Sequence, residues 1–324
     1  MTSAFRRPTI HDVAARSGVS KSTVSNVMRG AGGASAATRE RVLAAVAELG
    51  YRPNAAARNL VQRRTNLIGV VVWDIANAFD AELVKRIEQH ASARGYATIV
   101  CNTGGRPELE ASRIEALLEQ RVDGIALVDF TGDRAVLSRL FANRVPVVMA
   151  SCWADYADSV AVDDQAGIGL AVDHLVALGH ARIGYVADEF MDASTKRSRA
   201  AAFERALLRH GLEPRGEWSL GEDFALGDAT ALVAATDHIA VRLIERLEAA
   251  GVAVPGDVSL VGFDGIEIGA LSRLALTTVA QPSDELARQA VALLFNRIER
   301  GHDAAPEQHR LAPALVLRGS TAAR

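Results

Sequence analysis

A chain of 324 residues, 49% of them apolar and none in low-complexity stretches, can bury a sizeable core and is too long for one ordinary domain. Its longest strongly apolar run, Leu67–Trp73, falls far short of the ~20 residues that span a bilayer, and the start MTSAFRRPTI lacks the apolar segment of a secretory signal, so a cytoplasmic protein with no membrane partner is expected. The net charge of −3 is unevenly spread: residues 1–66 hold eleven Lys/Arg against Asp12, Glu40 and Glu48, a surplus of +8 that leaves −11 for the rest, and a basic head on an acidic body points to a polyanion for the head alone.

Thr9 stands three residues before Asp12, a hydroxyl N-cap with a carboxylate in the reciprocal place, and Ile10, Val13 and Ala14 follow at helical spacing. Ser17-Gly18-Val19 breaks that helix, with Gly18 free to take positive φ. Ser20 caps a second helix, Lys21–Met28, whose inner face is Val24, Val27 and Met28. A third starts near Ser35–Thr38 and runs through Val42, Leu43, Val46 and Leu49 to a stop at Gly50. Two short helices around a glycine-containing turn, closed by a third, make a helix-turn-helix, whose second helix enters the major groove of DNA. On it Lys21 and Asn26 can bond base edges and Ser22 a base or a phosphate; Ser20, Thr23 and Arg29 complete the candidate DNA-binding set.

From Leu67 onward β-rich runs alternate with amphipathic helices: strand 67–73, helix 80–94, strand 96–102, helix 107–121, strand 124–129, helix 134–143, then strands 146–150 and 159–162. A second series follows, with helix 166–178, strand 182–187, helix 198–210, strand 232–235, helix 239–250 and strand 259–263. Such alternation implies parallel sheets, and two series imply two doubly wound subdomains with a ligand cleft at the carboxyl ends of their strands. No P-loop or GxGxxG follows a strand, and no nucleophile elbow or catalytic acid–base pair is visible, so neither a nucleotide cofactor nor an enzyme is expected. Cys101 and Cys152 read as buried thiols and His174 and His180 as structural, so no metal is expected either.

Five ordered blocks carry a specific resemblance: Thr9-Ile10-His11-Asp12-Val13-Ala14, Gly18-Val19-Ser20-Lys21-Ser22-Thr23-Val24-Ser25, Thr38-Arg39-Glu40-Arg41-Val42, Leu49-Gly50-Tyr51-Arg52-Pro53-Asn54, and later Val254-Pro255-Gly256-Asp257-Val258-Ser259-Leu260-Val261-Gly262-Phe263-Asp264. Together with Val162-Asp163, Leu178-Gly179-His180 and Leu276-Thr277-Thr278-Val279, the chain resembles the lactose-repressor (LacI/GalR) family over nearly its whole length. The resemblance implies an all-α three-helix helix-turn-helix head at 1–52, a hinge helix and linker at 53–65, and a periplasmic-binding-protein-like body at 66–324, with one subdomain at 66–163 and 283–303 and the other at 164–282 and 304–324. It also implies that Leu60 wedges open a base step from the minor groove while Ala57 lets paired hinge helices approach, the physics of which is unstacking exchanged for a bend. Family members often carry Arg where this chain has Asn26, so a different base should be read there. By position, Phe79, Asp163, Arg199 and Asp237 match effector contacts, with Trp153 and Phe224 as further aromatic candidates.

The implied function is a homodimeric repressor, or a higher oligomer, on a pseudo-palindromic operator, with a small effector, foremost a sugar, altering affinity. The alternatives are a purine or nucleoside effector and a solute-binding protein without DNA function. One departure stands out: only Ala225–Thr230 separates a strand near 217–224 from strand 232–235, whereas a parallel crossover takes about a dozen residues. A missing crossover helix is expected, with Trp218–Phe224 as a frayed edge or loop.

Overall fold

A computed structural model describes residues 8–51, 64–130, 134–188, 191–214, 217–220, 226–301 and 304–324, and the chain divides into two compact units, 1–65 and 66–324. In the first unit lie α1 (Ile10–Ser17), α2 (Lys21–Met28) and α3 (Ala36–Leu49). Each start follows from a hydroxyl cap. Thr9 and Asp12 form the reciprocal box, Ser20 accepts from Thr23 N–H at 3.1 Å, and Ser35 accepts from Thr38 N–H at 3.2 Å. Gly18 (φ 66°) and Gly50 (φ 60°) end α1 and α3 in the left-handed region. Val13, Val24, Val27, Val42 and Ala45 form the small core, and an Arg16–Glu48 ion pair at 2.8 Å ties α1 to α3. Leu43, expected inside, is 49% exposed, because its place on α3 is a third of a turn from Val42 and Ala45 takes the inward position instead.

The second unit holds two six-stranded sheets. The first contains β1 (Leu67–Val72), β2 (Ala97–Asn102), β3 (Gly124–Val128), β4 (Val147–Ala150) and β5 (Asp158–Val162), with α4 (Ala78–Ser92), α5 (Glu110–Glu119) and α6 (Arg134–Ala142) as crossovers. The second contains β6 (Ile183–Ala187), β7 (Glu217–Ser219), β8 (Ala231–Ala234), β9 (Ser259–Asp264) and β10 (Thr277–Ala280), with α7 (Asp164–Ala177), α8 (Ala193–Arg209) and α9 (Asp237–Ala249). The chain then returns through α10 (Ser283–Arg300) to β11 (Gln308–Leu311), which pairs with β5, and passes to β12 (Ala314–Val316), which pairs antiparallel with β10. Residues 308–311 therefore belong to the first sheet, a correction to the expectation that 304–324 lies wholly in the second. The reason is a third crossing between the sheets, made within 312–313, too short to carry any periodic signal.

The orders are β11-β5-β4-β3-β1-β2 and β12-β10-β9-β8-β6-β7. Both reverse direction at one place, between β1 and β3 and between β6 and β8, which in doubly wound sheets is where a crevice opens. The central strands are buried on both faces, as their unbroken Val/Ile/Leu/Ala runs require.

Trp218 and Ser219 are strand rather than loop: β7 is a three-residue edge strand paired with Val186 and Ala187 of β6. Gly184 makes this possible, since a Cβ there would collide with the Trp218 ring. Because β7 stops at Ser219 and not near Phe224, eleven residues rather than six separate it from β8, which eases the length conflict. Residues 226–230 hold a turn and no helix, and Phe224 lies outside the described residues, as do Ala57 and Leu60.

Candidate functional site

In the head, α2 turns Val24 and Val27 inward, which leaves Lys21 and Ser22 exposed and Asn26 half-exposed on the opposite side. Ser20 holds the helix start and bonds both Ser22 Oγ (2.7 Å) and Thr23 Oγ1 (2.8 Å), so the hydroxyls at this end form one cluster. Arg29 donates to Asn26 Oδ1 at 2.7 Å, leaving the Asn26 amide nitrogen free to donate outward.

In the body, residues just past the four switch-point strands converge. Trp73 and Asp74 follow β1, Asp129 follows β3, Asp188 follows β6 and Thr236 follows β8. With Asn77, Met191, Asp192, His238 and Arg242 they line a cavity of about 250 Å³. Asp188 receives Arg242 at 2.6 Å, Asp74 Oδ1 accepts from Ala76 N–H at 3.1 Å, and Asp192 Oδ1 caps α8 through Ser194 and Thr195 N–H. Behind Asp129 stands Asp80, fully buried on the first turn of α4. Its Oδ2 accepts from Asp74 N–H at 3.2 Å, and its side chain is hydrogen-bonded to the Asp129 carboxyl. Burial pushes the Asp80 carboxyl up to about 7, and burial together with the Asp80 charge raises Asp129 well above the carboxylate range, so the two share a proton near neutral pH.

Asp80 therefore carries a buried penalty with a defined pH window. Its folded value lies above the unfolded one, so the native state binds the extra proton and stability falls as pH rises from about 4 to 7, the full penalty standing above that. Asp80→Asn should stabilise the protein on the order of 2 kcal/mol at pH 8 and hardly at all at pH 4. Urea denaturation at the two pH values checks this, and an equal effect at both would contradict it.

Six effector contacts were expected from sequence, and none of the five described lines this cavity. Phe79 is buried on α4 and borders a separate groove of about 730 Å³ beside Asp264 and Gln281. Asp163 caps α7, accepting from Ala166 N–H at 3.0 Å. Trp153, 44% exposed, lies under the Arg310 guanidinium at 4.2 Å and borders a hollow of about 290 Å³ with Ser194, Thr195 and Arg205. Asp237 is wholly buried and spends both oxygens on Gly265 N–H (2.8 Å), Ile266 N–H (2.9 Å) and Thr278 Oγ1 (2.6 Å), fixing the turn after β9. Burial and the Asp264 charge push Asp237 up to about 7. Arg199 is buried in α8, donating to Asp164 (3.0 Å), Asp264 (3.4 Å) and Ala235 C=O (2.6 Å) with its guanidinium 3.8 Å over Phe263. Asp264 is pushed up to about 6 by burial, against the pull of Arg199.

The cavity residues that sequence reading missed were partly discoverable. Asp129 and Asp188 are the first residues at or past predicted strands that the doubly wound order sets at its reversal. His180 is structural as expected, bonded to Thr230 and Ser259, and His174 to Thr321. Cys152 is buried, but Cys101 only half so, being on the edge strand β2. Among the described residues no group of three or more potential ligands could hold a metal ion, and no helix is long and apolar enough to cross a membrane.

Residues 9–54 match the model of the bacterial regulatory proteins of the lacI family, and residues 172–321 that of the periplasmic binding protein-like domain. The chain is 33% identical to the HTH-type transcriptional repressor PurR of Haemophilus influenzae (strain PittEE), over 96% of this chain and 98% of that protein. It is similar in structure to the Lac repressor dimer bound to operator and the anti-inducer ONPF, with a TM-score of 0.84 and 29% identity over 98% of this chain and 100% of that one. A LacI-family regulator from Enterococcus faecium with bound ribose gives a TM-score of 0.69 at 30% identity, over 80% of this chain and 99% of that one.

Proposed function

The chain belongs to the LacI family and is a DNA-binding repressor, and on that premise we propose that a carbohydrate held in the cavity between its two sheets controls its affinity for a pseudo-palindromic operator. The observation that carries the effector reading is the convergence of Trp73, Asp74, Asp129, Asp188 and Thr236 from both switch points onto one cavity. An indole face suits the C–H side of a sugar ring, and carboxylates accept from its hydroxyls. The relative of known structure from Enterococcus faecium holds ribose. A nucleoside is the second reading, favoured by the same Trp73 face, on which a base could stack.

One three-helix head covers a half-site, so two copies of the chain, acting in the cytoplasm, supply the symmetry of the operator. Lys21, Ser22, Asn26, Thr23, Ser20 and Arg29 are assigned to the half-site, and Leu60 and Ala57 to the minor groove between half-sites. Arg199 and Asp237 support the cavity from behind by holding β9 and its following turn, while Asp163, Trp153 and Phe79 border neighbouring hollows that a larger effector would reach. Effector binding shifts the population between arrangements of the two sheets that differ in operator affinity.

The test is a fluorescence-anisotropy titration of labelled upstream DNA with the full-length protein, with and without ribose, glucose, cellobiose, adenosine and guanosine. A sugar that moves the dissociation constant at least fivefold supports the proposal. A nucleoside acting alone favours the second reading, and operator binding that none of the five alters defeats a neutral sugar or nucleoside as the effector.

A further inference from the structure

The charge of the cavity is lopsided in a way that a neutral sugar does not relieve. Asp74, Asp129, Asp188 and Asp192 face it, with Arg242 already joined to Asp188 and His238 as the other basic group among the described lining. Arg199, a buried cation of the second sheet, is committed to Asp164 and Asp264. Asp80 adds a further carboxyl behind Asp129, fully buried and hydrogen-bonded to it. Asp74 and Asp192 each use only Oδ1 for local backbone turns. The second oxygens of Asp74 and Asp192 call for donors from a ligand, and crowded carboxylates call for positive charge as well.

Resting on the cleft being the effector site, we propose that its ligand is a polyhydroxylated molecule bearing a protonated amine, an amino sugar in its simplest form, and that phosphorylated sugars are excluded. The hydroxyls donate to Asp74 and Asp192, and the ammonium, with three donors and a positive charge, stands by the Asp80–Asp129 pair. A volume of about 250 Å³ lies below the ~300 Å³ at which drug-sized pockets begin, which suits one small ring. A phosphate would set its charges against at least three carboxylates, with no unpaired arginine among the described lining to receive it.

Matched series decide the matter: D-glucosamine, D-glucose and D-glucose 6-phosphate, and D-galactosamine, D-galactose and D-galactose 6-phosphate, each titrated calorimetrically into the full-length protein at pH 7. The expected result is an amine form at least tenfold tighter than its neutral counterpart in one series, no binding of either phosphate, and an advantage reduced below threefold in Asp129→Asn and in Asp74→Asn. Amine and neutral forms that bind equally, a phosphate that binds best, or an advantage untouched by both substitutions overturns the amine assignment and leaves the sugar reading standing. Absence of saturable binding by all six overturns both.

Discussion

Arg199→Ala is expected to lower the unfolding free energy by about 3–5 kcal/mol, the range for removing one partner of a buried ion pair. The size follows from what is left behind. Asp264 stays buried at the end of β9 and loses its strongest stabilising neighbour, Asp164 loses a donor at 3.0 Å, and the Ala235 carbonyl loses one at 2.6 Å. The Phe263 ring also loses the guanidinium stacked over it. Four segments of the second sheet meet at this side chain, so little of the cost can be relaxed locally. Arg199→Lys should recover only part, because an ammonium cannot reproduce the fork or the stacking.

The pH dependence gives the prediction a second handle. Asp264 is already raised to about 6, so in the parent protein its penalty grows from about pH 4 to 6 and is constant above. Without Arg199 its value climbs further, and the penalty keeps growing to higher pH. The deficit of Arg199→Ala relative to the parent should therefore be larger at pH 8 than at pH 5. Urea denaturation at both pH values measures it, and a deficit below 1 kcal/mol, or one that shrinks as pH rises, would show that Arg199 is not the organiser of this core.

How much of this could be read from sequence depends on how local the cause is. The head was legible because each of its helices starts at a hydroxyl cap and two of them end at a left-handed glycine, all signals that lie within four residues of what they control. The strand–helix alternation was legible for the same reason. Leu43 was misplaced because a run of apolar and small residues on α3 leaves two candidate inner faces, and only packing against α1 chooses. The path after β7 turned on where an edge strand stops, and that strand packs Trp218 on Gly184, thirty-four positions away. The cavity was least legible, because Trp73, Asp129 and Asp188, at strand ends, and His238, on the first turn of α9, carry no signal until the two sheets bring their ends together. Residues taken over by position, such as Asp237, prove to be occupied with holding backbone.

Asn26→Ala should weaken binding to the cognate operator by about 1–3 kcal/mol, roughly 5- to 150-fold, while barely altering affinity for unrelated DNA. Lys21→Ala should instead weaken both, and its lost charge should reduce the salt dependence of binding by about one ion. Neither change should unfold the head, since Val24 and Val27 anchor α2 from the other side and exposed substitutions usually stay within about 0.5 kcal/mol. The Arg29–Asn26 hydrogen bond sharpens the expectation. With one lone pair of its oxygen taken at 2.7 Å, Asn26 offers mainly donors to the groove, which favours acceptor edges such as guanine O6 and N7 over the paired donor–acceptor contact that adenine requires. Arg29→Ala frees that oxygen and should raise tolerance for adenine at one symmetric pair of operator positions. Selection of bound sequences from a randomised pool with the parent and the variant would read this directly. An identical preference in both would mean that the Arg29 contact does not persist on DNA, and Asn26 would then read its base with both ends of the amide.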